Sequence, residues 1–99
     1  MIEIYGMPSC PYCDYVLKQI QGDQRFVFID IGKDISSLHA FLRLRDHNPV
    51  FKPYIEEDDV GVPCFVLEDG SITLEPSEVG LHSLSETFGK SCSVSGHGC

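Results

Sequence analysis

Cys10-Pro11-Tyr12-Cys13 falls where an alternating apolar pattern ends and a helical one begins, so the chain passes from strand to helix through a pair of thiols. Residues 2 to 5, Ile-Glu-Ile-Tyr, alternate in polarity and are closed by Gly6 and Pro8, which predicts a short strand running into a turn. From Pro11 the apolar side chains fall at Cys13, Val16, Leu17 and Ile20, one stripe of a helix that ends near Gly22. Pro11 suits the first helical position, because its missing N–H has no partner to lose there and its φ is already helical.

The remaining pattern extends this start into an α/β domain. Phe26-Val27-Phe28-Ile29 is apolar without alternation and predicts a central strand covered on both faces. Ile35, Leu38, Phe41, Leu42 and Arg45 recur at helical spacing, with Asp34 or Ser36 as N-cap and Asn48-Pro49 as the stop. Residues 48 to 61 hold two prolines and the run Glu56-Glu57-Asp58-Asp59, and read as a long loop. Cys64-Phe65-Val66-Leu67 and Ile72-Thr73-Leu74, joined through Asp69-Gly70, predict a hairpin. Val79, Leu81, Leu84 and Phe88 predict a last helix that starts at Pro76 or Ser77 and ends at Gly89. The order β-α-β-α-β-β-α predicts a four-stranded mixed sheet flanked by helices, in one domain over residues 1–89. Residues 90–99 carry one aliphatic side chain and read as a flexible tail containing Cys92, His97 and Cys99.

Composition limits what such a domain does. With 99 residues there is room for one core, and 42% hydrophobic content excludes a wholly disordered or collagenous chain. Fifteen acidic against seven basic residues give a net charge of −8, which disfavours nucleic acid and anionic membranes as partners. No apolar run approaches the ~18 residues of a membrane span, and Met1 leads into Ile-Glu-Ile without a basic leader, so a cytoplasmic protein is expected. Five cysteines are many for a chain in that compartment, where thiols stay reduced and disulfides are mostly catalytic.

The location of the CxxC indicates its chemistry. Cys10 falls at or beside the helix N-cap, where free N–H groups and the helix dipole favour a thiolate, and is the expected nucleophile. Cys13, one turn further along the same face, is the expected resolving thiol. CxxC is also a zinc spacing, so the other reading is a zinc- or iron–sulfur-binding module. A closed site then needs two more ligands from Cys64, Cys92, Cys99 and the histidines, and no second CxxC or HxxxH occurs, so no metal ligand is assigned.

Cys10-Pro11-Tyr12-Cys13 after the first strand, with Gly61-Val62-Pro63 before the third, resembles the dithiol glutaredoxins of the thioredoxin-like fold, over about residues 1–89. The resemblance implies thiol-disulfide oxidoreductase activity on disulfide-containing or glutathionylated proteins, in a monomer with no tightly bound cofactor. It also implies a cis Val62-Pro63 bond set against the disulfide, a Val62 backbone that pairs with the substrate, and a groove wall shaped by Pro11 and Tyr12. Glutathione is implied as co-substrate with an incomplete site, because Met7 stands where that family has lysine and Glu75-Pro76-Ser77-Glu78 replaces its glycine turn. Thioredoxin reductase is then the other reductant to consider. The acidic residues 56–59 read as a solvated loop or as a lining of the same groove that attracts a basic partner. Asp14 complements the helix dipole but opposes a Cys10 thiolate. Cys64, Cys92 and Cys99 are candidate accessory redox thiols, with Cys64 also readable as a small buried hydrophobe.

Overall fold

A computed structural model describes residues 1–82 of the chain. The expectations placed on Leu84, Phe88, Gly89, Cys92, His97 and Cys99 lie outside the described residues. Within them the order is β1 (Ile2–Gly6), α1 (Pro11–Ile20), β2 (Phe26–Asp30), α2 (Ile35–His47), a 3-10 turn (Pro49–Phe51), α3 (Lys52–Glu56), β3 (Cys64–Val66), β4 (Ile72–Thr73) and a second 3-10 turn (Pro76–Val79). The strands form the expected four-stranded mixed sheet, in the order β2-β1-β3-β4. β1 pairs parallel with β2 and antiparallel with β3, and β4 completes the hairpin.

Strand alternation divides the core between the two faces of the sheet. On one face Ile4 and Phe65 meet Val16 and Ile20 of α1, together with Phe26 and Leu81. On the other, Phe41 of α2 and Phe51 of the first 3-10 turn pack with Ile31, Val62 and Cys64, and the Phe41 and Phe51 rings meet edge to face at 5.9 Å. Phe41, Phe51 and Phe65 are each almost fully buried, and burial of one such side chain stabilises the fold by roughly 1.5–3 kcal/mol. Cys10 and Cys13 join the cluster of Phe41 and Phe51 at the end of β1.

Local signals fix the helix ends. Asp34 caps α2 by accepting the Ser36 backbone N–H at 2.8 Å, and the Asn48 side chain accepts from Val50 N–H at 3.0 Å to open the next turn. In the hairpin, Gly70 takes φ 87°, and Leu67 and Ser71 close the turn with a 2.8 Å bond.

Three expectations are corrected. β2 is an edge strand, not a central one, and Val27 is 38% exposed; its apolar run reflects a covered inner face and a half-covered outer one. The stretch from Asn48 to Gly61 is not a structureless loop, because Pro49 and Pro53 occupy early helical positions, where proline is tolerated, in the 3-10 turn and α3. The last helix does not start at Pro76 or Ser77: residues 76–79 form a single 3-10 turn ended by Gly80 at φ 81°, Leu81 and His82 are not helical, and the rest of that expected helix lies outside the described residues. Among the described residues no helix is long and apolar enough to cross a membrane.

Candidate functional site

The turn after β1 delivers Cys10 to the start of α1. Its N–H donates to the Met7 carbonyl at 3.0 Å, closing the Met7-Pro8-Ser9-Cys10 turn, and its own carbonyl accepts the Asp14 N–H at 2.9 Å to begin the helix. Cys10 is the N-cap residue, its side chain makes no capping bond, and Pro11 follows at the first helical position. Asp14 lies in the first turn and forms an ion pair with Lys18 at 3.0 Å, which offsets the charge it would present to the helix start. Tyr12 packs partly buried against the cysteine cluster, and Pro11 is exposed.

The second segment arrives from the far side. Arg45 of α2 donates to the carbonyls of Asp59 at 2.9 Å and Val60 at 3.1 Å, tying the acidic stretch to the helix. Gly61 then adopts φ 89°, and a Cβ there would lie 2.9 Å from the Phe51 ring. The Val62–Pro63 peptide is cis, both residues are buried, and Val62 belongs to the same cluster as Cys10 and Cys13. Cys64, next in the chain, pairs with Tyr5 in the sheet and is fully buried in that cluster.

The sulfurs differ in state. Cys10 is disulfide-bonded and 1% exposed. Cys13 and Cys64 are free thiols, so the two sulfurs of the motif are not joined to each other. Burial pushes the Cys13 thiol up to about 11; a backbone hydrogen bond from Met7 works against that rise and the Asp30 carboxylate adds to it. Burial alone pushes Cys64 up to about 12, which fits a small apolar core residue. Cys13 is therefore a protonated thiol at neutral pH, as a resolving cysteine must be until a mixed disulfide forms beside it.

The acidic run divides. Glu56, Glu57 and Asp58 are exposed, whereas Asp59 is 3% exposed, its Oδ1 has no hydrogen-bond partner among the described residues, and burial with the nearby Glu57 raises its pKa. Glu75 and Glu78, in the segment of the second 3-10 turn, are exposed; Glu78 accepts a hydrogen bond from the Thr73 hydroxyl, which in turn accepts the Glu75 N–H at 3.1 Å.

The structure brings together Cys10, Cys13, Tyr12, Val62 and Cys64, with Pro63 buried between Val62 and Cys64, and leaves Pro11 at the rim. Cys92 and Cys99 lie outside the described residues. Two residues that sequence reasoning did not assign to the site are Arg45, which reads as part of a helical stripe, and Asp30, whose only signal is its position at the end of β2. Among the described residues no group of three or more His, Cys, Asp or Glu side chains gathers as a metal ion would need. Comparison with protein-family models, curated proteins and solved structures finds no match for the chain.

Proposed function

We propose that the chain is a thiol-disulfide oxidoreductase of thioredoxin-like fold, resembling the dithiol glutaredoxins, that acts through Cys10 and Cys13. The observation that carries this reading is the meeting of separate chain segments in one cluster: the N-capping Cys10, the buried Cys13 thiol and the Val62–Pro63 turn. In the reduced enzyme the Cys10 thiolate attacks one sulfur of a substrate disulfide, forming a Cys10 mixed disulfide and releasing the first substrate thiolate. Cys13 then loses its proton and attacks the Cys10 sulfur. The mixed disulfide breaks, a Cys10–Cys13 bond forms, and the second substrate thiolate leaves and is protonated from water. Two electrons pass from the dithiol to the substrate, and an external thiol or reductase must restore them.

The substrates are disulfide-containing or glutathionylated proteins, met by a monomer in the reducing cytoplasm with no tightly bound cofactor. Between the two reductants, the exposed Glu75 and Glu78 favour a reductase over glutathione, because an anionic tripeptide gains nothing from added carboxylates. The test is the redox equilibrium of the protein against glutathione, run beside its reduction by thioredoxin reductase, with Cys10→Ser and Cys13→Ser as controls. Slow glutathione exchange with efficient reductase turnover is expected, and both are lost in Cys10→Ser. A Cys10→Ser protein that still reduces insulin disulfides at the wild-type rate overturns the reading.

A further inference from the structure

The β1–β2 register places a carboxylate on the sheet face that carries the Cys13 sulfur. Gly6 and Asp30 are partners in the parallel pair, and partners in a parallel ladder project to the same face of the sheet. On that face Gly6 carries no side chain, and Cys13 Sγ fills the space, 2.8 Å from where a Cβ would stand. Phe28, two residues before Asp30 and so on the same face, lies 3.2 Å from that position. Asp30 therefore shares with Gly6 the sheet face onto which Cys13 packs. Its Oδ1 accepts the Gly32 N–H at 2.8 Å, which holds the carboxylate in the turn after β2.

We propose that Asp30, set beside the Cys13 sulfur by this register, determines how long a mixed disulfide at Cys10 survives before Cys13 resolves it. This rests on the dithiol reading above. A carboxylate next to a buried thiol opposes its ionisation, since two like charges in one desolvated site cost more than either alone. Burial and Asp30 act in the same direction on Cys13. Resolution requires the Cys13 thiolate, so the carboxylate holds the second step back while leaving the first, at Cys10, to run. Asp30 is a positioning residue acting through Cys13, and its effect lengthens the interval in which a substrate stays covalently attached.

The other ionisable groups on the elements around Cys13 do not supply this charge. Asp14 pairs with Lys18 on the exposed side of α1, Cys10 is disulfide-bonded, and Tyr5 and Cys64, neutral at physiological pH, lie on the opposite face of the sheet. Lys33, just beyond β2, is exposed.

The test uses the full chain with Cys92 and Cys99 replaced by serine, reduced and mixed with one equivalent of 5,5′-dithiobis(2-nitrobenzoate). The first release of coloured thiol reports attack by Cys10 and the second reports resolution by Cys13. Each is followed from about pH 6 to about pH 9, in the parent, Asp30→Asn and Asp30→Glu. Asn keeps an oxygen for the Gly32 N–H while removing the charge, and Glu restores the charge. The expected result is an unchanged first phase and a faster second phase in Asp30→Asn, with its pH profile moved to lower pH. The gain is about 3-fold for each tenfold rise in thiolate, because nucleophilicity falls as the thiol becomes more acidic. Asp30→Glu retains the slow profile. An Asp30→Asn profile identical to the parent overturns the proposal, and so does a slower second phase, which makes Asp30 a proton acceptor instead. A parent protein with no second phase, or one that persists in Cys13→Ser, overturns the dithiol reading itself and is distinct from both.

Discussion

Cys13 Sγ occupies the space where a side chain at position 6 would begin, 2.8 Å from a Cβ built on Gly6. The last residue of β1 is thus glycine because a sulfur from α1 packs onto its bare Cα, and the Phe28 ring closes the same gap at 3.2 Å. Gly6→Ala forces the sulfur or the ring to move. A destabilisation of about 1–3 kcal/mol is expected, the usual range for one methyl too many in a filled core. Urea unfolding of Gly6→Ala, Cys13→Ala and the double variant measures it. The double variant should recover most of the loss, since the alanine at 13 vacates the space the new methyl needs. Strict additivity would show that the contact is not the cause.

The two buried thiols make the fold sensitive to base. Their folded values, about 11 for Cys13 and about 12 for Cys64, lie above the ~8.5 of an unfolded chain. Above that unfolded value the native state holds protons that the unfolded state releases. The contribution of these thiols is therefore complete below about pH 8.5 and is lost as pH rises towards their folded values. Cys64→Ala should flatten the alkaline arm of the stability curve between about pH 8 and about pH 10, whatever it costs at neutral pH by loss of volume. Denaturant midpoints over that range are the readout, and an alkaline slope as steep as wild type removes Cys64 from the account.

The parts of the candidate site that are legible in the sequence are those whose signals are local. Cys10-Pro11-Tyr12-Cys13 declares a helix start through Pro11, and the Asp34 and Asn48 caps sit immediately before the elements they open. What was not legible depends on pairing across the chain. The run Phe26 to Ile29 carries no mark that separates an edge strand from a central one, because the neighbours that decide it are β1 and β3. Pro49 looks like a breaker until the capping Asn48 shows that it opens a 3-10 turn, and Pro53, which has no such capping signal before it, lies in the first turn of α3. Gly80, read as a residue inside a helical pattern, is the left-handed stop of a short turn. Asp30 comes onto the sheet face of Cys13 only through a parallel register linking positions 6 and 30, and no spacing rule reaches across that distance.

Asp59 is a burial cost that the fold carries in the loop leading to Val62. Asp59 is 3% exposed, its Oδ1 has no hydrogen-bond partner among the described residues, and burial with the nearby Glu57 raises its pKa above the ordinary carboxylate value. A raised carboxyl pKa means that the native state binds more protons than the unfolded one. Stability therefore falls as pH rises from about 3.9 through the folded value, and the deficit is complete above it. Asp59→Asn keeps the shape and removes the charge. It should stabilise the protein at pH 7 by about 1 kcal/mol, in line with the cost of an unsatisfied buried group, and make little difference below about pH 3.5. Thermal or urea unfolding at both pH values decides it; a variant equally shifted at both would assign the effect to packing rather than charge.

Gly61 precedes Val62 with φ 89°, and Gly70 has nearly the same backbone, φ 87°, in the β3–β4 turn. Their surroundings differ. A Cβ at position 70 meets nothing within 4 Å, whereas one at 61 lies 2.9 Å and 3.1 Å from two atoms of the buried Phe51 ring. Alanine at 70 pays only the left-handed strain, about 1–2 kcal/mol. Alanine at 61 pays that strain and also displaces Phe51 from its contact with Phe41, adding about 1–3 kcal/mol of overpacking. Because Phe51 and Val62 share a cluster with Cys10 and Cys13, the shift should reach both cysteines. On the proposed oxidoreductase function, Gly61→Ala is expected to lower disulfide-reductase activity under conditions where it remains folded, while Gly70→Ala leaves activity near wild type. Paired unfolding curves and insulin-reduction rates for the two variants separate strain from contact. Equal stability losses with equal activities would show that the Phe51 ring yields freely and that the fit of Gly61 against it does not position the Val62–Pro63 turn.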